Sequence, residues 1–589
     1  MSENKIYSSI QDFKNHLQLV LFLGIVFLIY LYSLCPTLYL IDSGELATVS
    51  YTLGIAHPTG YPLYTLISYF FAHLPGEPIR NLNFLSALVS VIAAFLLFLT
   101  LKKIINHPIS NLTITTLFAF SPIIWRISIT NEVYILTALM GVLILYLFYQ
   151  LKNSRLFYGI TFFAGLSFTN HFMIFAIAFP LLIYLLIIHR PRLKVLFSGA
   201  AFFLLGFSLY LYLLIRTQAG ADIAWGNPCD LQRLLWHITG RQYRVWMFSL
   251  TGGEILTNAK NGLLFLLRNL FYIFSLPLVL GLFYLFHYDR KRFYLFLTIV
   301  GLNFFYAINY AIPDIESYYI PGFIVTILIC AYGLNYLKRF IRWFIALPVG
   351  LLIGIINYPE CTLKNNTFGY DYGYAHLAPL PPNSLLICSY WDIYSPTIYL
   401  RKIKNIRRDL VVIDKELLRR TWYLKYLARE YPDFYQAAEK EINEYLHELY
   451  KFEYGKPYQP AIIQSKFIRM LERFVEVKES LGVYFALPFP DRDLNAVKPA
   501  YYRIPFGLNY LITKTPQIPH FDFSQLKISQ PKFVNDPRLK YNIETVVKMA
   551  SNNIHYLTQN KRWAEAQEVK AWLEENFLRF STVKPLDKL

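Results

Sequence analysis

The sequence predicts a polytopic α-helical membrane protein with a C-terminal extracytoplasmic α/β domain that ends in a helical hairpin. The first observation is composition: 55% of the 589 residues are hydrophobic and only 16% are charged, whereas about 25% of the residues in soluble domains are charged. The second is a series of about eleven apolar runs before residue 358. The third is the return of charged residues after Pro359, among short apolar strands and helical patterns.

Charge and cysteine content exclude several classes of protein. Residues 1–357 contain 23 Lys/Arg and 12 Asp/Glu, and the remainder contains 33 and 26. In the first part the basic residues form short clusters between apolar runs, and in the second they are mixed with acids. We therefore expect no contiguous basic face and no nucleic-acid partner. Five scattered cysteines without C-x-x-C spacing argue against a disulfide scaffold, a zinc knuckle or an iron–sulfur site.

The apolar runs are interpreted as membrane helices, since a helix needs about 20 apolar residues to cross a bilayer. The first run is taken as an uncleaved helix, because the residues that end it are not the small residues of a signal-peptide cleavage site. Several runs are short, so any one of them could instead be re-entrant or half-inserted. The runs are 17–34, 82–101, 112–125, 133–150, 156–170, 172–188, 195–215, 262–286, 293–310, 318–337 and 341–357.

Basic residues occur in every second link between these runs, and by the positive-inside rule such links are cytoplasmic. The N-terminus is then predicted to be cytoplasmic. With an odd number of helices, everything after Pro359 is predicted to be extracytoplasmic. The basic links contain Lys102/Lys103, Lys152/Arg155, Arg190/Arg192/Lys194, Arg290/Lys291/Arg292 and Lys338/Arg339/Arg342.

The part after Pro359 reads as an α/β domain. Strands are expected at 385–390 and 410–414 with a helix at 396–404 between them, which is a parallel β-α-β pattern. Further helices are expected at 434–451 and 463–477, further strands at 482–487 and 507–513, and two amphipathic helices within 541–579 that break near Gln559-Asn560. The predicted domains are a transmembrane domain at 1–358, the α/β domain at 359–535 and the helical hairpin at 536–589.

The first outer loop is the most informative segment for chemistry. It places Asp42 and Glu45 three residues apart just after the first membrane helix, and His57 follows between turn-forming residues. Asp42 could simply cap a helix through its side chain. Alternatively it is a general base beside a second carboxylate, because desolvation and a like charge both raise the pKa of a carboxylate. His57 has a similar pair of interpretations, a loop-packing residue or a ligand for a lipid phosphate.

The strings D-S-G-E-L at 42–46 and G-I-A-H-P-T-G-Y-P-L-Y at 54–64 resemble the signature of the transmembrane-protein-260-like glycosyltransferases. That family is a branch of the GT-C fold whose animal members are protein O-mannosyltransferases. The resemblance covers about residues 30–430. It is also carried by Trp125-Arg126, Asn131–Tyr134, Gly165–Ser167, Asn170-His171, Leu214–Arg216, Trp225–Pro228, Gly240–Tyr243, Asn309-Tyr310, Asp314, Tyr318–Pro321, Pro382–Ser384, Tyr390–Asp392, Arg408–Leu410 and Trp422-Tyr423.

The resemblance implies a GT-C-like catalytic domain at 1–358 that transfers a sugar from a polyprenyl phosphate to a hydroxyl on the extracytoplasmic side. Mannose is the sugar of the family's animal members, and the acceptor is a protein Ser/Thr or a glycan. The catalytic acidic residue of the first outer loop maps onto Asp42, with Glu45 as its neighbour. One base and a direct displacement would invert the anomeric centre.

Side chains for the donor and acceptor are expected near the outer ends of the helices. Arginine and histidine can bind a phosphate, although an interfacial arginine often only anchors a helix in the membrane. The expected donor-phosphate ligands are His57, Arg126, His171, Arg216 and Arg241. Glu132 and Asp314 are expected either to bind sugar or acceptor or only to begin helices. Tyr390, Trp391 and Asp392 at the end of the first soluble strand are expected to bind sugar or acceptor. The spacing Asp42-x-x-Glu45 is too short for a metal site by itself, so no metal and no cofactor are expected.

Two other classes of function stay open from the sequence. A lipid or glycan transporter or flippase would also have many helices, but it places ionisable groups near the bilayer midplane and often shows inverted repeats. A membrane-anchored binding protein would instead concentrate its polar residues after residue 360. The acids at the outer helix ends and the absence of a visible repeat favour the enzyme. The sequence leaves the sugar, the acceptor and the oligomeric state open.

Overall fold

The structure, a computed structural model, describes residues 2–105, 107–337, 343–486, 491–533 and 536–577. The chain divides into two compact units. The first unit consists of Met1–Leu34, Ile55–Ala221 and Pro228–Lys364, and the second of Cys35–Gly54, Asp222–Asn227 and Asn365–Leu589. The first outer loop is therefore divided: Asp42 and Glu45 belong to the second unit, whereas His57 belongs to the first.

Seventeen α-helices precede residue 362 in the described part of the chain, and all except α2 belong to the first unit. They are α1 (Ser2–Ser33), α2 (Ser43–Thr52), α3 (Pro62–Ala72), α4 (Pro78–Leu101), α5 (Pro108–Phe120), α6 (Pro122–Ser128), α7 (Val133–Tyr149), α8 (Ser154–Phe168), α9 (Phe175–His189), α10 (Leu193–Phe207), α11 (Leu211–Gln218), α12 (Leu231–Ile238), α13 (Gly252–Asn269), α14 (Ser275–Tyr288), α15 (Arg290–Ile308), α16 (Ile320–Leu337) and α17 (Trp343–Cys361).

The first unit is a multi-pass membrane domain. Within the described ranges, five helical stretches are long and apolar enough to cross a bilayer: Pro78–Leu101, Phe172–His189, Leu193–Gln218, Arg290–Ile308 and Ile315–Leu337. A sixth counts if α5 and α6, which bend by 63°, form one span. Shorter apolar helices are Leu17–Ser33, Pro62–Ala72, Val133–Tyr149 and Ser275–Tyr288. The expected count of eleven spans and their orientation thus stay predictions, and the link at 338–342 that was predicted to be cytoplasmic lies outside the described residues.

Two expectations for this unit were wrong. The run 262–286 is not one helix, because α13 ends at Asn269 and Phe271 and Tyr272 adopt left-handed backbone conformations (φ 52° each) before α14 begins. Helix α3 was missed in the sequence. Its 11 residues are too few to cross a bilayer, and they follow directly on the turn-forming residues of the first outer loop.

Side-chain hydrogen bonds join several membrane helices of this unit. Tyr30 of α1 donates its hydroxyl to the backbone oxygen of Ala119 in α5, with 2.6 Å between the two oxygens. The Trp125 indole of α6 donates to the hydroxyl of Ser33, with 3.0 Å between the two atoms. A polar group in the hydrocarbon region of a bilayer needs a hydrogen-bond partner. These two bonds therefore stabilise the packing of α1 against α5 and α6.

The second unit adds nine helices and one five-stranded sheet among its described residues. The helices are α18 (Phe368–Leu377), α19 (Trp391–Lys402), α20 (Thr421–Glu430), α21 (Pro432–Ala437), α22 (Glu439–Glu453), α23 (Pro460–Lys478), α24 (Arg492–Ala496), α25 (Pro537–Gln559) and α26 (Trp563–Phe577). The strands are β1 (Leu385–Cys388), β2 (Val411–Asp414), β3 (Val483–Ala486), β4 (Tyr502–Phe506) and β5 (Asn509–Thr513).

The sheet has the order β2-β1-β3-β5-β4. Strand β1 pairs in parallel with β2 and with β3, with Leu385 opposite both Val411 and Val483. Strand β5 is antiparallel to β3 and β4. The predicted parallel β-α-β pattern is confirmed. All residues of β1, β2 and β3 are buried, as expected of parallel strands that are covered on both faces.

Two features of this unit differ from expectation. Helix α19 starts at Trp391 and not at 396, because Pro396 lies inside the helix and does not begin it. Strand β4 was missed, since it contains Pro505 and lies at the sheet edge, where a proline is tolerated. The two terminal helices are present as predicted, with their break at 560–562, and the predicted end of the hairpin at 578–589 lies outside the described residues.

Candidate active site

In the second unit, Asp42 directly precedes α2, at the position where a helix is usually capped. Its side chain nevertheless makes no capping hydrogen bond to the helix. One carboxylate oxygen, Oδ1, instead accepts a hydrogen bond from the indole nitrogen of Trp391, at 2.8 Å. The capping interpretation of Asp42 therefore lacks the bond on which it depends. A carboxylate at a helix N-terminus is still favoured by the helix dipole.

Glu45 is fully buried on α2, and its helix packs directly on α19. The backbone nitrogen of Glu45 donates to the hydroxyl of Ser395, at 3.2 Å. Gly44 allows this approach, because a Cβ at that position would lie 2.1 Å from the backbone oxygen of Ser395. The glycine of the D-S-G-E-L motif is thus needed for contact between two helix backbones.

Two consecutive residues at the start of α19 form hydrogen bonds with two consecutive residues of the loop before α2. The Trp391 indole donates to the Asp42 carboxylate, as described above. Asp392 accepts a hydrogen bond from the backbone nitrogen of Ile41, at 2.8 Å. Asp392 is fully buried and also accepts from Arg538 Nε at 2.7 Å and from Asn542 Nδ2 at 2.8 Å. These contacts make Asp392 an anchor between α19, α25 and the loop.

Trp391 also belongs to a cluster of three tryptophans. Its ring meets that of Trp225 edge to face, with 5.6 Å between centroids, and Trp225 in turn packs on Trp422 at 5.0 Å. Neighbouring Tyr390 packs on Tyr541, with ring centroids 5.5 Å apart. The sequence-predicted cluster Tyr390–Asp392 thus does lie at the carboxyl end of β1, where open α/β sheets build clefts.

The second unit brings two carboxylates together. An oxygen of Asp42 lies within 4.8 Å of an oxygen of Glu45. Such a pair can accept a proton, or it can offer two oxygens to a divalent cation.

In the first unit, His57 and His171 lie at the two ends of a short aromatic contact chain. His57 Nε2 hydrogen-bonds to the Tyr61 hydroxyl at 2.8 Å, and the Tyr61 ring stacks on the His171 ring, with centroids 5.8 Å apart and planes within 7°. Tyr134 and Tyr318 also contact the His171 ring, at 5.3 and 5.5 Å. The two predicted histidines are therefore connected through one tyrosine.

His171 is neutral near pH 7, because burial lowers its pKa to about 3. Its Nδ1 accepts a hydrogen bond from the backbone nitrogen of Met173, at 3.2 Å, so Nε2 carries the proton. The preceding Asn170 is fully buried and donates to Val133 and Thr137 on α7. His171 can thus act as a neutral hydrogen-bond donor to a phosphate.

His237 is a polar residue of this unit that the sequence reasoning missed. Its Nε2 hydrogen-bonds to the backbone oxygen of Ala56, at 3.1 Å, and burial lowers its pKa to about 3. Gly60, at φ 88°, fits against it, since a Cβ there would lie 2.9 Å from His237 Nε2. The only signal in the sequence was its position four residues before Arg241.

Arg216 and Arg241 have different surroundings. Arg241 lies over the Trp236 ring, with its guanidinium carbon 3.8 Å from the centroid. Arg216 is in the last turn of α11 and interacts with Tyr212 one turn earlier. Cation–π stacking suits arginine, and the same planar guanidinium group has the geometry to donate two hydrogen bonds to a phosphate.

Arg126 takes part in an ion-pair network instead. It contacts Glu316 at 3.5 Å and Glu360 at 3.0 Å, and Arg268 also pairs with Glu360. Glu132 directly precedes α7, and both Glu132 and Asp314 interact electrostatically with Tyr134. The first unit thus brings Glu132 and Asp314 to the aromatic group that surrounds His171.

These features define a class: a multi-pass membrane protein with an α/β unit, a carboxylate pair in one unit, and histidines and arginines at helix ends in the other. Comparison with known proteins narrows it. Residues 42–195 match the model of the family described as Protein O-mannosyl-transferase TMEM260 N-terminal domain, so the match begins at Asp42.

Curated relatives extend this similarity. The chain is 25% identical over 453 residues to Protein O-mannosyl-transferase tmem260 of Dictyostelium discoideum, which covers 65% of this chain and 55% of the relative. It is 25% identical over 435 residues to Protein O-mannosyl-transferase TMEM260 of Mus musculus, which covers 66% and 61%. The chain thus spans less than two thirds of the length of these relatives. The family resemblance that the motifs indicated is confirmed.

Among solved structures, ArnT from Cupriavidus metallidurans bound to undecaprenyl phosphate aligns with a TM-score of 0.49 at 11% identity, over 85% of this chain and 99% of that chain. The apo state of the same protein aligns with a TM-score of 0.41 at 10% identity, over 70% and 94%.

Proposed function

We propose that this chain is an integral-membrane GT-C-type glycosyltransferase that moves a sugar, mannose, from a polyprenyl phosphate to a Ser/Thr hydroxyl of a protein. The observation that carries the proposal is the match of residues 42–195 to the O-mannosyl-transferase family, which starts at the carboxylate singled out in the sequence. The names of both relatives support the same reaction class.

In this proposal Asp42 is the general base. The acceptor hydroxyl loses its proton to Asp42 as its oxygen bonds to the anomeric carbon, and the bond from that carbon to the phosphate oxygen breaks. The leaving group is the polyprenyl phosphate, and a single displacement inverts the anomeric centre. The support from structure is that the Asp42 side chain is not used as a helix cap and is oriented by Trp391.

The leaving phosphate needs no general acid if hydrogen-bond donors and cations stabilise its charge. We assign that role to Arg216 and Arg241 as cations and to His57 and His171 as hydrogen-bond donors. Arg126 is the weaker candidate, because Glu316 and Glu360 already neutralise it. The reaction is proposed to take place on the extracytoplasmic side, with the N-terminus in the cytoplasm, as the basic links suggest.

The test is a transfer assay with purified full-length protein in detergent. Polyprenyl-phosphate [³H]mannose should label a Ser/Thr peptide, and the linkage should have the anomeric configuration opposite to that of the donor. GDP-[³H]mannose without the lipid carrier should not label it. Labelling from the nucleotide sugar alone, or retention of configuration, would contradict the proposal.

Metal independence is part of the same proposal and has its own control. Protein treated with EDTA and desalted should keep its turnover, because a base and a set of phosphate-binding side chains suffice for the displacement. Loss of turnover that Mg²⁺ or Mn²⁺ restores would instead assign the pair Asp42 and Glu45 to a divalent cation.

A further inference from the structure

Trp391 is tied to Asp42 in a way that the sequence did not suggest. The two residues are 349 positions apart, and the indole Nε1 donates directly to Asp42 Oδ1 at 2.8 Å. An indole N–H can only donate, so this bond uses its whole capacity for hydrogen bonding. The bond restrains one of the two carboxylate oxygens and thereby the orientation of the Asp42 side chain.

The indole itself is held firmly. Trp391 is the first residue of α19, three residues after the last residue of the buried strand β1. Its ring packs edge to face against Trp225. A donor whose position is set by a strand end and by aromatic packing can restrict the carboxylate that it bonds.

The backbone beside Asp42 is held at the same place. Ile41 has φ 62°, which is strained for a β-branched residue, and its nitrogen donates to the buried carboxylate of Asp392. Strained backbone of this kind persists only when its surroundings over-determine it. Residues 391 and 392 therefore restrict the side chain of Asp42 and the backbone before it together.

We propose that Trp391 is a positioning residue, which orients the Asp42 carboxylate toward the acceptor hydroxyl, and not a platform for sugar or acceptor. The inference rests on the proposed role of Asp42 as the base. It predicts that removal of the indole N–H changes proton transfer, whereas an acceptor platform would change acceptor affinity.

The structure offers a matched control in Trp422. This residue packs on the same Trp225 ring, and its Nε1 has no hydrogen-bond partner among the described residues. Trp391→Phe and Trp422→Phe therefore remove the same atoms from the same aromatic cluster, but only the first removes a bond to Asp42. Trp391→benzothienylalanine, which replaces the indole N–H by sulfur and keeps the bicyclic shape, covers the case in which the phenylalanine variant folds poorly.

The experiment measures kcat, acceptor KM and the pH profile of mannose transfer for the wild type, both phenylalanine variants, the benzothienylalanine variant and Asp42→Asn. In Trp391→Phe we expect kcat to fall roughly 10- to 100-fold, the scale of a misplaced catalytic group. The acid limb of the pH–rate profile, where activity falls as the base becomes protonated, should move to higher pH by about one unit. The reason is that the hydrogen bond from Trp391 favours the charged form of the Asp42 carboxylate, so loss of this bond should raise the pKa of Asp42. Trp422→Phe should keep the wild-type kcat and acid limb.

The outcomes separate the inference from the proposed function. If Asp42→Asn stays active, the base assignment fails and the inference fails with it. If Asp42→Asn is inactive but Trp391→Phe matches Trp422→Phe, only the positioning role is overturned. A raised acceptor KM with unchanged kcat and acid limb would make Trp391 an acceptor-binding residue and would also overturn it.

Discussion

The contact between α2 and α19 predicts a large effect for a one-carbon change, Gly44→Ala. The new Cβ would lie 2.1 Å from the Ser395 oxygen, 2.5 Å from its carbonyl carbon and 2.8 Å from the Pro396 nitrogen. All three atoms belong to backbone, so no flexible side chain can move aside. The two helices must separate, by about 1 Å or more to reach ordinary van der Waals contact.

The size of the effect follows from two opposing terms. Overpacking of a tight contact costs about 1–3 kcal/mol, whereas alanine gains up to about 1 kcal/mol over glycine in a helix. We expect a net loss of about 1–2 kcal/mol in the free energy of unfolding. The 2.8 Å bond between Asp42 and Trp391 spans the same two helices, so the separation should lengthen it past the limit of a hydrogen bond. Turnover should then fall roughly 10- to 100-fold.

The assay combines a thermal melt in detergent with the mannose-transfer rate. Gly253→Ala is the control, since a Cβ at that helical position meets nothing within 4 Å. It should melt at or slightly above the wild-type temperature and transfer at the wild-type rate. Gly44→Ala that behaves like Gly253→Ala in both measurements would refute the argued contact between the two helices.

Three further predictions test other parts of the account. Burial raises the pKa of Asp414 to about 7, so the folded state binds its proton more tightly than the unfolded chain, and stability should fall as pH rises from about 4 to 7. Asp414→Asn should remove this pH dependence of stability and should stabilise the protein above pH 7 by up to about 4 kcal/mol. Thermal melts of both proteins across this pH range measure the effect, and an unchanged pH dependence in the variant would contradict the prediction. Arg216→Ala should weaken binding of polyprenyl phosphate about tenfold or more in a direct binding assay, because a charge-assisted bond is lost, and unchanged affinity would make Arg216 a membrane anchor. In a cysteine-free background, a cysteine placed at Lys404 should react with an impermeant maleimide added outside. A cysteine placed at Lys103 should react only when the maleimide has access to the inside. Labelling of both cysteines from the same side would overturn the proposed orientation.

Local patterns predicted the fold where neighbours in the sequence decide it. The short, mainly apolar runs of β1 and β2 with a helix between them indicated a parallel pair, and the structure confirms it. The break between α13 and α14 was not predictable, because an apolar run shows no sign of two left-handed residues, Phe271 and Tyr272. Strand β4 was missed for a similar reason, as Pro505 is compatible with an edge strand but not typical of one.

The candidate site likewise contains residues that the sequence could predict and contacts that it could not. Asp42 and Glu45 stand out in sequence as two carboxylates after a membrane helix, and His57 stands out between turns. The bond from Trp391 to Asp42 and the anchor from Asp392 to Ile41 join segments about 350 residues apart, and no spacing rule reaches that far. The neutral state of His171 depends on burial by several helices, which a single sequence does not show.

The central claim is that Asp42 acts as the base of mannose transfer, and Asp42→Asn tests it most directly. Asparagine keeps the size of the side chain and an oxygen for the Trp391 indole, but it cannot take a proton. Asp230→Asn is the matched control, since Asp230 truly caps α12 by accepting from the Arg233 nitrogen at 2.8 Å, and asparagine caps about as well.

The measurement is the rate of transfer from polyprenyl-phosphate mannose to a Ser/Thr peptide, with a thermal melt of each purified variant. We expect Asp42→Asn to melt like the wild type and to lose roughly 10²–10⁴-fold in rate, the usual contribution of a positioned base, while Asp230→Asn keeps both. An Asp42→Asn protein that melts normally and transfers mannose within a few-fold of the wild-type rate would contradict the account.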